Sequence, residues 1–261
     1  MIRVAAAPVS FGVFELTADS AGLPDPDAVL AAIAAAGYEG TELGPPGYLG
    51  DAKTTRRRLD RAGLELAGAY VPIDFGPAQD LGELDEVLDL LPPSARPVLA
   101  DAGPRRPFSW PPLTAGVERA VELARTRGFA PVFHHHGGTR IERPDEIERL
   151  LELSDVALLL DTGHLALAGG DPVQGLRDWR PRIEHVHVKD VRPGIDTLAQ
   201  AWTEAGFCPL GDGVLAMDRF FDELEGYAGW LVVEQDRLDV PVPTASADQA
   251  RSRQWLRARG F

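Results

Sequence analysis

The chain concentrates its imidazoles in one region. All six histidines lie in its second half, and three of them are consecutive in the stretch FHHHGGT. Alternate side chains of an extended strand share a face, so His134 and His136 point to one side, as do His185 and His187 in HVHVKD. Imidazole is a common metal ligand and titrates near neutral pH. The spacing therefore predicts a site for metal binding or proton transfer.

Acidic residues stand where several apolar runs end. Asp161 follows LLL, Glu234 follows LVV, and Glu42 and Asp101 end two earlier runs. A single acid in such a place is usually a helix cap. Several carboxylates that met the histidines in one small space would repel each other and be costly to bury unless a cation joined them. The pattern favours one divalent metal site over a set of separate structural roles.

One of the only two lysines in the chain, Lys189, lies two residues beyond His187 and on the same side of the strand. That position puts its amine within reach of a substrate bound at the histidines. We expect burial and a nearby cation to depress the pKa of Lys189, which would favour a neutral amine that exchanges protons. The alternative is a structural salt bridge to Asp190, Asp212 or Asp236.

The elements that would position these residues alternate along the chain. Strands are predicted at 2–9, 38–43, 64–71, 96–101, 130–136, 156–161, 182–190 and 229–236. Helices with acidic or proline starts and glycine stops are predicted at 25–36, 51–62, 80–91, 117–127, 144–153, 172–179, near 217–224 and at 246–259. A long irregular loop follows the seventh strand, and Ser246 and Gln249 are spaced as a capping box at the last helix.

Eight strand–helix units with strongly apolar strands predict an α/β fold, a single (β/α)8 TIM barrel that forms one domain over residues 1–261. A doubly wound open sheet is the structural alternative. In a barrel the chemistry lies where the strands end, on the C-terminal face. The polar residues described above end the predicted strands, so we expect them to meet there.

Composition limits the partners. The formal charge of −14 and the pI near 4.8 argue against nucleic acid, and so against a DNA-repair endonuclease on the same fold. The single cysteine, Cys208, suits a reducing compartment, and no apolar run approaches membrane length. We therefore expect a cytoplasmic protein with a small-molecule substrate and no membrane partner. The sequence leaves open whether the protein forms a homo-oligomer.

Five motifs, taken in order, resemble those of the xylose-isomerase-like barrels of the sugar phosphate isomerase/epimerase group, and within it most resemble the inosose dehydratases. The resemblance extends from GTEL at 40–43 to the end of the eighth strand. The motifs are FHHHGGT, LLLDTGHLALAGGDP, HVHVKDV, FCPLGDG and LVVEQD.

The resemblance implies one divalent ion, with Mn²⁺ or Co²⁺ favoured and Zn²⁺ or Fe²⁺ also compatible. Matched by motif, the metal ligands are His134, Asp161, His187 and Glu234. Many family members carry a glutamate at the end of the fifth strand, where this chain has histidines. We align that glutamate with His134, and a shift of two residues would exchange the places of His134 and His136.

The resemblance also implies proton abstraction next to a ketone. An imidazole in place of a carboxylate suits a dehydratase acting on a keto-sugar or keto-inositol, with Lys189, His164 and Glu234 as catalytic residues. We expect His136, His185, Glu42 and Glu15 to contact the substrate, and Tyr48 and Tyr70 to line the pocket. No phosphate-binding glycine loop is evident, which favours an unphosphorylated polyol. A sugar isomerase or epimerase and a non-catalytic subunit of a sugar-processing complex remain the alternatives.

Overall fold

A computed structural model describes residues 1–17, 22–103, 105 and 107–261. Eight parallel strands close into a barrel in the order β1, β10, β7, β6, β5, β4, β3, β2. These strands are β1 Ile2–Ala6, β2 Gly40–Glu42, β3 Glu65–Ile73, β4 Arg96–Asp101, β5 Val132–His134, β6 Ala157–Asp161, β7 Ile183–Val188 and β10 Gly229–Val233. Two short strands, β8 Asp190–Val191 and β9 Phe207–Cys208, pair antiparallel beside the barrel.

Helices follow the strands and cover the barrel. They are α1 Pro26–Ala36, α2 Ala52–Ala62, α3 Gly82–Leu90, α4 Trp110–Thr126, α5 Pro144–Leu153, α6 Thr162–Leu167, α7 Pro172–Asp178, α8 Leu198–Thr203, α9 Met217–Asp222 and α10 Val242–Arg257. Because β1 pairs with both β2 and β10, the sheet has no edge strand. The barrel prediction is confirmed, and the open-sheet alternative is wrong.

Local signals explain where the early helices begin and end. The Asp25 carboxylate caps α1 by accepting from the backbone N–H of Asp27, and the Asp51 carboxylate caps α2 by accepting from that of Thr54. Both helices end at glycines with φ near +88° and +68°, namely Gly37 and Gly63. Side chains rarely adopt that left-handed conformation, so a glycine is the favoured stop.

Several helices and strands begin or end at residues other than those predicted from the sequence. The last helix begins at Val242, so Ser246 lies inside it and donates from Oγ to the Val242 carbonyl. The predicted Ser246–Gln249 capping box is therefore wrong. Strand β1 is shorter than expected, because Pro8–Phe11 turns into a 3-10 helix. Helix α4 starts earlier than expected, with prolines in its first turn.

The loop after β7 is more ordered than its sequence suggests. It contains β8, α8 and β9, and the Asp190 carboxylate holds its far end. That carboxylate accepts from the backbone N–H groups of Gly211, Gly213 and Leu215. One acid thus fixes the loop that follows Lys189, which brings α8 over the mouth of the barrel. In the described part of the chain, no helix has both the length and the apolar character needed to cross a membrane.

Candidate active site

A cavity of about 580 Å³ opens at the C-terminal end of the barrel. Its polar floor includes His134, His187, Lys189, Glu234 and Asp236. Apolar side chains form part of its walls, with Val9, Val13 and Phe14 from the loop after β1, and Leu198 and Trp202 from α8. The cavity therefore combines a charged base with apolar sides, an arrangement typical of small-molecule sites.

Four residues from four strands meet at this floor. The Asp161 Oδ2 atom lies 3.9 Å from His134 Nε2 and 3.7 Å from His187 Nδ1. His187 Nδ1 in turn lies 2.9 Å from Glu234 Oε2. His134, Asp161 and His187 can each offer a ligand atom within 4.8 Å of the other two. The groups that face the buried His187 Nδ1 are the carboxylates of Asp161 and Glu234. The donor set fits a divalent cation.

Lys189 lies among three carboxylates. Its Nζ is 2.6 Å from Asp161 Oδ2, 2.8 Å from Glu234 Oε2 and 3.2 Å from Asp236 Oδ1. Burial alone would lower the pKa of Lys189, but these three carboxylates outweigh burial and hold the pKa well above its usual value. In these surroundings the ammonium form of Lys189 is favoured, in contrast to the neutral amine expected beside a bound cation. Of the structural partners considered from sequence, only Asp236 contacts it.

Burial and neighbouring charges also act in opposite directions on the pKa of Asp161. Burial would raise the pKa of Asp161, but Lys189 and the histidines around it hold that pKa well below its usual range. The Thr162 side chain holds the backbone of Lys189 in place. Its Oγ1 donates to the Lys189 carbonyl and accepts from the Lys189 N–H, at 2.7 and 2.8 Å. The TGH segment thus joins the ends of β6 and β7.

Glu42 and His185 form a buried pair below the floor. Glu42 Oε1 lies 3.1 Å from His185 Nε2 and 3.0 Å from His187 Nε2. Glu42 lines the cavity as expected, but His185 does not, because it lies one layer deeper and is fully buried. The predicted substrate contact of His185 is corrected accordingly. His185 instead contacts Glu42, and Glu42 helps to orient the His187 ring through its Nε2 atom.

The two histidines after β5 and β6 stack on each other. The rings of His136 and His164 lie 4.1 Å apart, and only His136 lines the cavity. His164 is 1% exposed, with Nε2 3.3 Å from Asp236 Oδ2 and Nδ1 accepting from the Gly137 N–H. The expected direct catalytic contact of His164 does not occur in this structure, because His136 lies between His164 and the cavity.

The middle histidine of the FHHHGGT run has a structural role. Its side chain points away from the cavity by strand alternation, and His135 Nε2 accepts from the Asp161 N–H at 3.1 Å. Burial is the main cause that lowers the pKa of His135 to about 3, so the ring stays neutral. The run therefore divides into cavity residues, His134 and His136, and a support residue between them.

Sequence reasoning missed several contributors. Arg140 donates to both carboxylate oxygens of Asp101 and ties the loop after β5 to the end of β4. Trp202 and Leu198 reach the cavity from a segment expected to be irregular. The only available signal was the Thr197–Gln200 capping box at the start of α8. Tyr70 lines the cavity as expected.

Tyr48 does not line the cavity, contrary to expectation. Its hydroxyl donates to the carbonyl of Pro24, and the cavity wall at this place is formed by Gly44. The turn after β2 carries the Tyr48 ring away from the barrel mouth.

Comparison with known proteins agrees with this geometry. A family model described as a xylose isomerase-like TIM barrel matches residues 77–259. An inosose dehydratase from Geobacillus kaustophilus (strain HTA426) is 32% identical over an alignment that covers 90% of this chain and 87% of that protein. The chain therefore belongs to the xylose isomerase-like TIM-barrel family.

Two solved structures share the whole fold. A probable 3-DHS dehydratase, AsbF, from Bacillus anthracis superposes with a TM-score of 0.76 at 19% identity, covering 98% of this chain and 99% of that one. The IOLI protein, solved with a bound zinc atom, gives a TM-score of 0.75 at 12% identity and covers 99% of both chains. With its family and its curated relatives, the protein is an enzyme of the dehydratase or isomerase/epimerase kind.

Proposed function

We propose that this protein is a divalent-metal-dependent dehydratase that removes water from a keto-inositol or a similar keto-polyol. The observation that carries the proposal is the meeting of two imidazoles, two carboxylates and a buried ammonium ion at the floor of one cavity. The related inosose dehydratase supports the choice of substrate class. The absence of a basic cluster among the described lining residues suits an uncharged substrate.

The metal would be held by His134, Asp161, His187 and Glu234. Mixed imidazole and carboxylate donors favour manganese, cobalt, iron or zinc over magnesium. When bound, such an ion stabilises negative charge on a ketone oxygen. Lys189 Nζ contacts oxygens of the same two carboxylates, Asp161 and Glu234, that would hold the ion.

The remaining steps belong to side chains of the chain. Lys189 is an ammonium ion held in place by three acids, so it can donate a hydrogen bond or a proton to a substrate oxygen at the floor. His136 lies beside it on the cavity wall. The Nδ1 of His136 is 3.0 Å from the Gly137 carbonyl, which fits an Nδ1–H donor and leaves Nε2 as the basic nitrogen. We assign His136 as the base that removes the proton next to the ketone.

His164 and Asp236 support this base. The His164 ring packs against His136, and its Nε2 lies near Asp236, which also contacts Lys189. His164 is therefore a positioning residue that links His136 to Asp236, and through Asp236 to Lys189. Burial is the main cause that lowers the pKa of His136, with His164 and Lys189 acting in the same direction, so its ring is neutral before the reaction.

The test is a substrate screen on metal-defined protein. The chain is stripped with a chelator, reloaded with Mn²⁺, Co²⁺, Zn²⁺ or Mg²⁺, and incubated with 2-keto-myo-inositol or a ketohexose in D₂O. We expect loss of water from the keto-inositol, measured by NMR. Asp161→Ala should lose both metal and activity, whereas Asp60→Ala on the exposed surface of α2 should keep both.

Other results would identify the alternatives. Deuterium exchange and epimer formation without loss of water would favour an isomerase or epimerase. Inactivity with every substrate, together with tight co-purification of a second polypeptide, would favour a non-catalytic subunit.

A further inference from the structure

Glu15 is a carboxyl group in the cavity that the proposed reaction has not yet used. It lies in the loop after β1, at the start of the short 3-10 helix Glu15–Thr17, and it lines the same cavity as Lys189 and Glu234. Its place distinguishes it from the other acids. In the closed barrel, β1 is four strands away from β5 in either direction, so the two strands are opposite each other. The loop that carries Glu15 therefore leaves the barrel on the side opposite to β5, the strand that carries His134.

The loop that carries Glu15 is held in position. Thr17 Oγ1 donates to the Gly12 carbonyl at 2.8 Å and accepts from the Phe14 N–H at 3.0 Å. Ser10 Oγ accepts from the Gln235 N–H at 3.0 Å, which joins the loop to the residue after Glu234. These contacts fix the backbone on both sides of Glu15.

The electrostatic surroundings of Glu15 also differ from those of the other cavity acids. Asp101 binds Arg140, Glu42 contacts two histidines, and Asp236 contacts Lys189. The side chains with the largest electrostatic effect on Glu15 are all carboxylates. The charged groups that face it are Glu83 on α3, Glu42 at the end of β2 and Glu234 at the end of β10, and Tyr70 on β3 is close by.

Such surroundings favour the protonated acid. Burial is the main cause that raises the pKa of Glu15 to about 7, and the three neighbouring carboxylates act in the same direction. At neutral pH a large share of the protein therefore carries a neutral carboxylic acid on this side of the cavity. A neutral carboxylic acid can donate a proton, which the paired carboxylates cannot do.

We propose that Glu15 is the general acid that protonates the departing hydroxyl group, a role that rests on the proposed dehydratase function. His136 removes the proton from the carbon next to the ketone, and the C–H electron pair becomes the enolate. The enolate then re-forms the carbonyl with a new C=C bond as the β C–O bond breaks. The leaving oxygen takes the Glu15 proton and departs as water. Glu15 is then reprotonated from solvent, and His136 releases to solvent the proton that it removed from carbon. The base follows β5 and the acid follows β1, two strands on opposite sides of the barrel.

The experiment compares two substrates in two variants. The variants are Glu15→Gln and the control Glu118→Gln, whose glutamate is exposed on α4. The substrates are 2-keto-myo-inositol and its analogue with fluorine in place of the departing hydroxyl. Fluoride leaves without a proton, so it does not need an acid. We expect Glu15→Gln to lower kcat on the hydroxyl substrate by roughly a hundredfold, with KM nearly unchanged, and to keep near-wild-type kcat on the fluoro analogue.

The pH profile gives a second measurement. Wild-type kcat on the hydroxyl substrate should fall as pH rises through the pKa of Glu15, because the acid form is lost. This alkaline decline should be absent in Glu15→Gln and present in Glu118→Gln. Metal content and melting temperature should match the wild type in both variants.

The outcomes separate this role from the proposed function. Equal losses on both substrates, or full turnover by Glu15→Gln beside an active wild type, would overturn the acid role and leave the dehydratase intact. A metal-loaded wild type that removes water from no keto-polyol would overturn the dehydratase, and the role of Glu15 with it.

Discussion

Lys189 shows how strongly a single side chain here depends on its neighbours. Its ammonium group is 1% exposed and contacts the carboxylates of Asp161, Glu234 and Asp236. A buried ammonium ion without partners would lose its proton, whereas three acids make the charged form the stable one. The residue is therefore suited to stabilise or protonate an oxygen, and unsuited to remove a proton from carbon.

Lys189→Met tests that assignment at the residue scale. With metal bound, we expect turnover on the true substrate to fall by roughly a hundredfold, in the range of lost general acid–base catalysis. The metal-free variant should also melt at a lower temperature, because three buried carboxylates lose their cation. Steady-state kinetics, elemental analysis and thermal unfolding measure these effects.

The control is Lys53→Met, which changes the only other lysine, exposed on α2. It should match the wild type in all three measurements. A metal-loaded Lys189→Met protein with undiminished turnover would limit Lys189 to a structural role.

At the scale of elements, the first turn of α6 explains the glycine in the DTGH motif. A Cβ atom on Gly163 would lie 2.7 Å from Lys189 Cβ and 2.8 Å from Phe207 Cε1. Both distances are shorter than any ordinary contact, and both neighbours are fully buried. The helix can begin this close to β7 only because position 163 has no side chain.

Gly163→Ala should therefore displace Lys189 or Phe207. We expect a loss of about 1–3 kcal/mol in the free energy of unfolding, which is typical of an overfilled core, and a clear fall in turnover. Denaturant unfolding and kinetics measure the two effects. Gly76→Ala is the matched control, since a Cβ there meets nothing within 4 Å. Unchanged stability in Gly163→Ala would show that the turn has more room than its contacts indicate.

The start of α5 depends on one buried acid. The Glu146 carboxylate accepts from the N–H groups of Glu142 and Arg143 and from the Arg105 guanidinium. Burial would raise the pKa of Glu146, but these partners lower it below its usual value. A lowered pKa in the folded state means that the acid stabilises the fold above its unfolded pKa, near 4.3, and that this contribution is lost as pH falls through the folded pKa.

Glu146→Gln should remove part of this acid sensitivity. At pH 7 we expect the variant to be less stable by about 1–3 kcal/mol, the range for hydrogen bonds to charged groups. Below pH 4.3 the difference from wild type should shrink as the wild-type acid is protonated. Urea unfolding from pH 7 to pH 3 measures both, with Glu148→Gln, an exposed neighbour on α5, as the control. A constant difference across this range would argue against the role of the charge.

At the scale of the whole molecule, the closed barrel brings acids from distant parts of the chain to one face. Four acids meet at or just beneath the floor, in a chain with a formal charge of −14. They are Glu42 on β2, Asp161 on β6, and Glu234 and Asp236 just after β10. Their mutual repulsion opposes folding unless cations offset it. The site is thus a place where binding and stability are coupled.

Metal should therefore stabilise the folded protein. At a free metal concentration one hundred times the Kd, binding contributes about 2.7 kcal/mol, which raises the melting temperature of a chain of this size by roughly 5–10 °C. Differential scanning calorimetry with Mn²⁺, Co²⁺ or Zn²⁺ after chelation measures the shift, and Mg²⁺ should give less. Asp161→Ala should abolish it. A full shift in that variant would place the metal elsewhere.

The sequence by itself determined much of the fold and the local geometry. The alternation of apolar runs with capped, glycine-terminated helices was sufficient to predict the barrel, because these signals act within one turn or one strand. Strand parity correctly grouped His134 with His136 on the cavity side. The acids at the strand ends were also visible, since a polar residue after a buried strand marks the point where the strand emerges.

Only the tertiary structure decided which of these residues reach the cavity and what charge they carry. His185 and His187 share one side of β7, yet only His187 reaches the floor, because depth in the barrel depends on how neighbouring strands are staggered. The charge of Lys189 depends on acids that follow it by 45 and 47 residues or precede it by 28. The meeting of Glu15 and His136 in one cavity requires closure between β1 and β10. Such properties arise from distances between remote segments, and those distances exist only once the barrel has closed.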